Sequence, residues 1–261
     1  MGSGTQLKEV LDALTQQSKE VASSENYDSV KLTEEEIEHA LLKAREAKHF
    51  RLIREEYNEK LRAHYEPKKH SFEQLWQAFS ASFTIDEWNE RIVKNLCYYF
   101  SEDSRFEGNP NKGLLLVGGV GIGKTTLMDF FKRNQKYSYR LMSCRDIESD
   151  FSNDGERSVK FCSYNIDVAS NANPYGQTDI GFCFDDLGTE SNAKHYGHEK
   201  NVMAEIILNR YDNKLSYPST HITTNLTADE IKVQYGSRVT DRLKEMMNLI
   251  VFNKDAKSRR F

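Results

Sequence analysis

The chain has 261 residues, of which 38% are hydrophobic, 29% charged and 11% aromatic, with 4 prolines. That length suits one large domain or a core domain with an appendage, and the composition excludes a collagen-like or largely disordered chain. A net charge of −4 and a pI near 6.0 exclude a global basic field, so contact with nucleic acid has to come from a local patch.

Cys97, Cys144, Cys162 and Cys183 are scattered through apolar stretches without a CxxC pair. That is the pattern of buried thiols in a reducing compartment, not of disulfides or a zinc site. The N-terminus lacks an apolar core of signal-peptide length, and no window approaches the roughly 18 uninterrupted apolar residues of a membrane span. The expectation is a cytoplasmic protein with no membrane partner.

Residues 1 to 30 are polar and mixed, and read as a loose arm. At Thr33 the run "TEEE" forms a capping-box signature, with Thr33 and Glu36 placed to satisfy each other's backbone. Ile37, Leu41, Ala44, Ala47, Phe50, Ile53, Tyr57 and Leu61 then recur at steps of three and four. The spacing predicts one amphipathic helix, of order 45 Å at about 1.5 Å per residue, ending before Pro67. Its stripe either packs on the main domain or docks a partner. Two shorter helical patterns follow, "SFEQLWQAF" and "DEWNERIVKNLCYYF".

Beyond "GNPNKG" strands and helices alternate. Strands are predicted at 114–117, 137–142, 180–184, 220–224 and 249–252, with helices starting at Gly123, near Arg145, near Gly197, at Thr227 and near Arg238. Apolar strands separated by helices argue for a parallel sheet covered on both faces. The domain reading is an all-α N-terminal extension over 1–70 and an α/β domain over 71–261.

The nine residues Gly118, Gly119, Val120, Gly121, Ile122, Gly123, Lys124, Thr125 and Thr126 match GxxxxGK[ST] between an apolar strand and an amphipathic helix. Gly119, Gly121 and Gly123 let the backbone curl so that N–H groups converge on phosphate oxygens at a helix N-terminus. Lys124 reaches the β- and γ-phosphates, and the Thr125 hydroxyl is placed to ligate Mg2+. The cofactor reading is ATP with Mg2+, in a three-layer phosphate-loop NTPase fold.

"IGFCFDDLG" ends an apolar strand in two carboxylates. Asp185 at the strand tip is the second metal-site residue, and Asp186 is the general base for an attacking water. Glu190 is an additional polar residue close by. "HYGH" brings His195 and His198 together without a third ligand.

From about residue 72 to the C-terminus the ordered motifs resemble the AAA+ ATPases of the DnaC/IstB type, within the AAA+/ASCE division of phosphate-loop NTPases. The match continues through "HITTNLTADEI" and "YGSRVTDRLKEM" to "FNKDAKSRRF". The resemblance implies that Asn225 is the sensor 1 residue, that Arg238 is an arginine finger donated to a neighbouring subunit, and that Arg259 or Arg260 is sensor 2. It also implies a homo-oligomer, single-stranded DNA along the region 145 to 178, and a replicative helicase or a transposase as partner. Lys136, Tyr137, Arg140 and Arg145 form a basic-aromatic group nearby, either a strand-binding patch or a solvated face. Where the wider class ends its acidic motif in Asp-Glu, this chain has Asp185-Asp186, and slower hydrolysis follows.

The leading functional reading is an ATP-hydrolysing assembly factor, a DnaC-like helicase loader. The alternative is an IstB-like ATPase of a mobile element. Further alternatives are a small-molecule kinase, against which the sensor strand and "GSRVTDR" argue, and a nucleotide-binding module with decayed hydrolysis.

Overall fold

The computed structural model describes residues 31–64, 69–167, 179–190, 193–195, 198–256 and 258–259. The chain divides into two units, Met1–Glu56 and Tyr57–Phe261. The arm read at 1–30, the approach to Pro67, and Arg260 lie outside the described residues.

Helix α1 spans Glu34–His64. Its capping box forms: the Glu36 N–H donates to Thr33 Oγ1 at 3.3 Å, and the Thr33 N–H donates to the Glu36 carboxylate at 2.8 Å. Three glutamates in its first turn add favourable charge at the positive end of the helix dipole. The apolar side chains are spread more widely than the spacing predicts, because Leu42 and Leu52 sit off the stripe. Like Ile37, Leu41, Phe50, Ile53 and Tyr57, both are exposed.

Helix α2 (Phe72–Ser82) starts on a second capping box, Ser71 with Gln74. Helix α3 (Glu90–Phe100) begins later than its pattern predicts, because the Asp86 carboxylate accepts the N–H groups of Trp88 and Asn89 and holds that segment as a turn. Then come β1 (Gly113–Val117), α4 (Lys124–Phe131), β2 (Tyr139–Ser143), α5 (Cys144–Asp154) and α6 (Glu156–Ser163). After them lie β3 (Ile166–Asp167), β4 (Asp179–Leu187), β5 (Ala193–His195), β6 (His198–Lys200) and α7 (Val202–Asp212). A 3-10 turn at Lys214–Ser219, β7 (Thr220–Thr224), α8 (Ala228–Met246) and β8 (Met247–Val251) complete the fold.

Five of the strands form a parallel path in the order β2-β4-β7-β1-β8, and β3 pairs antiparallel with the start of β4. The alternation of β1 sorts its side chains between two cores. Leu114 and Leu116 face a cluster supplied by α2, α3 and α4, whereas Leu115 faces one supplied by α5, α6, α7 and α8. This is a three-layer α/β sandwich. Helix α6, β3 and the small β5–β6 hairpin, which holds His195 and His198, are additions to the predicted elements. The two helices predicted at Thr227 and near Arg238 are both present within α8, the first ending and the second starting at Gly236, whose φ of 85° and ψ of 165° are not helical.

His221 of β7 is fully buried against the rings of Tyr99, Phe100 and Tyr139, and its Nδ1 accepts the Leu114 N–H at 3.2 Å. Burial pushes its pKa down to about 3 from the ordinary 6.5, and the charges of Lys136 and Arg210 act in the same direction. The unfolded chain therefore takes up a proton that the folded chain refuses. This contribution to stability is complete above the unfolded pKa and is lost as pH falls from there toward the folded value. We expect His221→Gln to flatten the acid limb of a urea-unfolding series between about pH 6 and pH 4, by on the order of 1.4 kcal/mol per pH unit. Parallel limbs in variant and wild type would refute this.

Candidate nucleotide-phosphate site

The turn between β1 and α4 takes its shape from two glycines. Gly121 and Gly123 lie at φ 80° and 98°, and Gly123 is the N-cap of α4. Gly119 differs from the expectation: its φ is not positive, and a Cβ there would meet nothing within 4 Å. Gly118 is needed for close approach, since a Cβ would fall 2.5 Å from Ile122 Cδ1. Ile122 points into the core, whereas Val120 stands exposed at the tip of the loop.

Parallel strands end on the same side of a sheet, so the tips of β1, β7 and β4 converge. Lys124 is buried, and its ammonium donates to the Gly118 and Gly119 carbonyls, each at 2.9 Å, and to Asn225 Oδ1 at 2.6 Å. Thr125 Oγ1 lies 2.9 and 3.0 Å from the two Asp185 oxygens, and Thr223 Oγ1 donates to Asp185 Oδ1 at 2.6 Å. Burial raises the Asp185 pKa above the usual carboxylate value. The hydrogen bonds from Thr223 and Thr125 oppose this, the Asp186 charge adds to it, and Lys124 opposes it.

Strand alternation alone would point Asp185 and Asp186 to opposite faces. The β4–β7 register slips between Phe184 and Leu187, and Asp186 adopts φ 55°, a left-handed backbone unusual for a residue with a side chain. The Asp186 N–H donates to Thr223 Oγ1 at 2.9 Å, which secures the bulge. Asp186 thereby lines the same small cavity, about 130 Å³, as Lys124, Thr125, Thr126, Asn225 and Arg259.

The Arg259 backbone N–H donates to the Gly121 carbonyl at 2.8 Å. Its guanidinium donates to the Thr84 carbonyl at 3.0 Å and to Asp86 at 2.6 Å. A cleft of about 620 Å³ opens beside the loop between α2, the 83–89 segment and Arg259, with Phe83, Trp88, Asn89 and Thr126 among its walls. A volume of that size takes a small organic ligand. Sequence reasoning missed this wall and also missed Thr223. The signal for Thr223 was a polar pair inside the fully buried strand "THITT". For the wall it was the Asp86 turn interrupting a helical pattern.

Arg238 is not brought to this site. It is exposed on α8 beyond the Gly236 kink, has no hydrogen-bonding or ionic partner among the described residues, and does not line the cavity. Arg242, by contrast, lies 4.3 Å over the Tyr211 ring and 3.5 Å from Asp241. Glu190 is also outside the cavity, holding the Gly188 N–H at 2.9 Å and the Tyr235 hydroxyl. Lys136 corrects the basic-aromatic reading: it is buried with its ammonium 4.2 Å from the Tyr99 ring centroid, and burial lowers its pKa to about 8.

The donor set fits the cofactor read from the sequence. A hydroxyl and a carboxylate brought together are hard oxygen ligands suited to Mg2+, and an ammonium beside a loop at a helix N-terminus suits phosphate. Strand β7 stands between the phosphate-loop strand and the acidic strand, a sheet order consistent with the phosphate-loop NTPase fold read from the sequence. No protein-family model matches the chain, and no curated protein does. Among solved structures it is similar to one described as the DnaC helicase loader, at 20% identity and TM-score 0.45, over 69% of this chain and 98% of that one. It is also similar to DnaI, at 16% identity and TM-score 0.42, over 67% and 90%. A third is AMPPCP-bound DnaA from Aquifex aeolicus, at 14% identity and TM-score 0.45, over 72% and 51%.

The three acceptors around Lys124 make one prediction direct. Lys124→Ala should lower ATP affinity by at least about 100-fold in calorimetry, the loss of a buried charge-assisted contact. Unchanged affinity would place nucleotide elsewhere.

Proposed function

We propose that the chain is an ATP-binding and ATP-hydrolysing AAA+ protein that acts as a DNA-linked assembly factor, in the manner of a DnaC-like helicase loader. The observation that carries this reading is the meeting of Lys124, Asn225, Thr125, Asp185, Thr223 and Asp186 at three neighbouring strand ends. A phosphate loop alone serves many activities. A polar strand tip set between that loop and a paired acid suits a site that times hydrolysis.

Bound ATP with Mg2+ supplies the phosphoryl group and the metal charge. Among the chain's own groups, the Gly118–Thr126 amides and Lys124 orient and neutralise phosphate oxygens. Thr125 and Asp185 hold the metal, Asp186 takes the proton of an attacking water, and Asn225 orients that water. Asp186 is one methylene shorter than the glutamate usual at this place, so hydrolysis is slow. Arg259 closes the nucleotide cleft from the C-terminal side as the sensor 2 residue.

Arg238 completes the reaction from outside. Its exposure, and the lack of a partner for it among the described residues, support a role across a subunit boundary, where it offsets charge developing on the γ-phosphate. The active form is then a homo-oligomer. The ATPase domain is 71–261, and the arm 1–70 binds the partner, a replicative helicase, through the exposed apolar side chains of α1.

Two experiments test this. Arg238→Ala should bind ATP as the wild type does yet lose most of its hydrolysis, by about 10³-fold for an arginine finger. Mixing it with Asp186→Asn protein should restore part of the rate, and a mixture as inactive as its components would place the arginine in cis. Replacing Phe50 and Ile53 with Asp should leave ATP turnover intact and abolish capture of the replicative helicase. Retained capture would remove α1 from the docking role.

A further inference from the structure

Strand β7 is buried along its whole length, a place where a threonine hydroxyl needs a partner, and it carries three such hydroxyls close together. Thr220 Oγ1 accepts from the Arg210 guanidinium at 2.8 Å. Thr224 Oγ1 donates to the Leu187 carbonyl at 2.6 Å and accepts the Leu226 N–H at 3.0 Å, so its bonds hold backbone. Thr223 Oγ1 goes instead to the two acids, 2.6 Å from Asp185 Oδ1 and 2.9 Å from the Asp186 nitrogen.

The sense of these two bonds follows from the partners. A backbone N–H only donates, so the Thr223 oxygen accepts from Asp186. An ionised carboxylate only accepts, so the single hydroxyl proton goes to Asp185. The first bond fixes the backbone, at φ 55°, from which the Asp186 side chain reaches the cavity beside Lys124. The second, with Thr125 Oγ1 at 3.0 and 2.9 Å from the two Asp185 oxygens, fixes the plane of that carboxylate.

We infer that Thr223 is a positioning residue for hydrolysis, setting the metal-holding Asp185 and the base Asp186 from one oxygen atom. The inference rests on the ATPase reading proposed above and deepens it, because the two acids then act as one unit. Thr223→Val keeps the shape of the side chain, but leaves the Asp186 N–H without its acceptor and removes one of the two hydroxyls on Asp185. Thr223→Ser keeps the hydroxyl.

The test uses the full chain. It measures kcat and KM for ATP at saturating Mg2+, calorimetric ATP affinity with and without Mg2+, and thermal unfolding. Thr223→Val should lower kcat by about 10- to 100-fold at nearly unchanged KM, the scale seen when a partner orienting a metal-holding group is lost. Without Mg2+ its ATP affinity should match the wild type, and the gain that Mg2+ brings should shrink by about 10-fold. Thr223→Ser should restore both, and Thr224→Val should keep the Mg2+ gain. On an Asp186→Asn background, Thr223→Val should cost clearly less kcat than it does in the wild type, as for residues that act through one another. Where Thr223→Val does not fold, Thr223→Ala carries the same expectations. A Thr223→Val chain that melts lower yet keeps its kcat and its Mg2+ gain overturns the inference and leaves the ATPase reading standing. An equal loss in Thr223→Ser also overturns it. If the wild type binds ATP without hydrolysing it, a reduced Mg2+ gain in Thr223→Val still supports the hold on Asp185 while the hydrolysis reading falls. A wild type that does not bind ATP overturns both.

Discussion

The site depends on one clasp: a nearly buried carboxylate at the end of β4 gripped by a hydroxyl from the start of α4 and another from β7. An isolated carboxylate in that position would be strongly disfavoured as the anion. The hydroxyls of Thr125 and Thr223 compensate within the protein, and in doing so tie the phosphate loop, the central strand and the acidic strand into one body. Strand order makes this feasible. With β7 between β1 and β4, the loop and the acid are separated by a single strand, and the tip of that strand, Asn225, falls beside the ammonium of Lys124.

Local strain is placed where direction matters. Asp186 sits in the left-handed region without being a glycine, a conformation that costs on the order of 1 kcal/mol and persists only where neighbours fix it. Here the neighbours are Thr223 Oγ1, which accepts its N–H at 2.9 Å, and Thr189, whose hydroxyl donates to its carbonyl at 2.8 Å. The bulge brings Asp186, which an ideal strand would send to the opposite face, into the cavity beside Lys124, while the Asp185 carboxylate stays on the hydroxyls of Thr125 and Thr223. Asp185 can then be held while Asp186 remains open to solvent and reagent.

Much of this was legible in the chain. The glycines and the Lys-Thr pair announce their loop because few other residues tolerate its backbone, and the apolar runs mark strands because both faces of the sheet are covered. What escaped was tertiary. Thr223 reads as an ordinary strand residue until β4 is laid against it. Helix α6 has only a short apolar face to detect, since two serines share its buried side with Val159 and Cys162. Lys136 looked like a surface cation because burial over an aromatic ring leaves no periodic signal. The cleft wall at 83–89 depends on Arg259 returning from the far end of the chain to Thr84 and Asp86.

The same dependence on distant partners explains how the acidic strand and the helix bearing Arg238 are kept in step. Beyond Asp186 the chain turns at Gly188, where a Cβ would lie 2.5 Å from Leu226 Cδ1, so the turn is pressed against the segment that leads into α8. Glu190 then accepts from the Gly188 N–H and from the Tyr235 hydroxyl, burying its carboxylate between the turn and the first half of α8. Tyr235 immediately precedes the kink at Gly236, and Arg238 follows it. The part of α8 before the kink is therefore fixed to the acidic strand, and the exposed arginine projects from the part after it. The segment after Gly236 is itself anchored in the core through Val239, Leu243 and Met246, so the positive φ of one glycine sets the direction in which Arg238 leaves a surface that is otherwise packed.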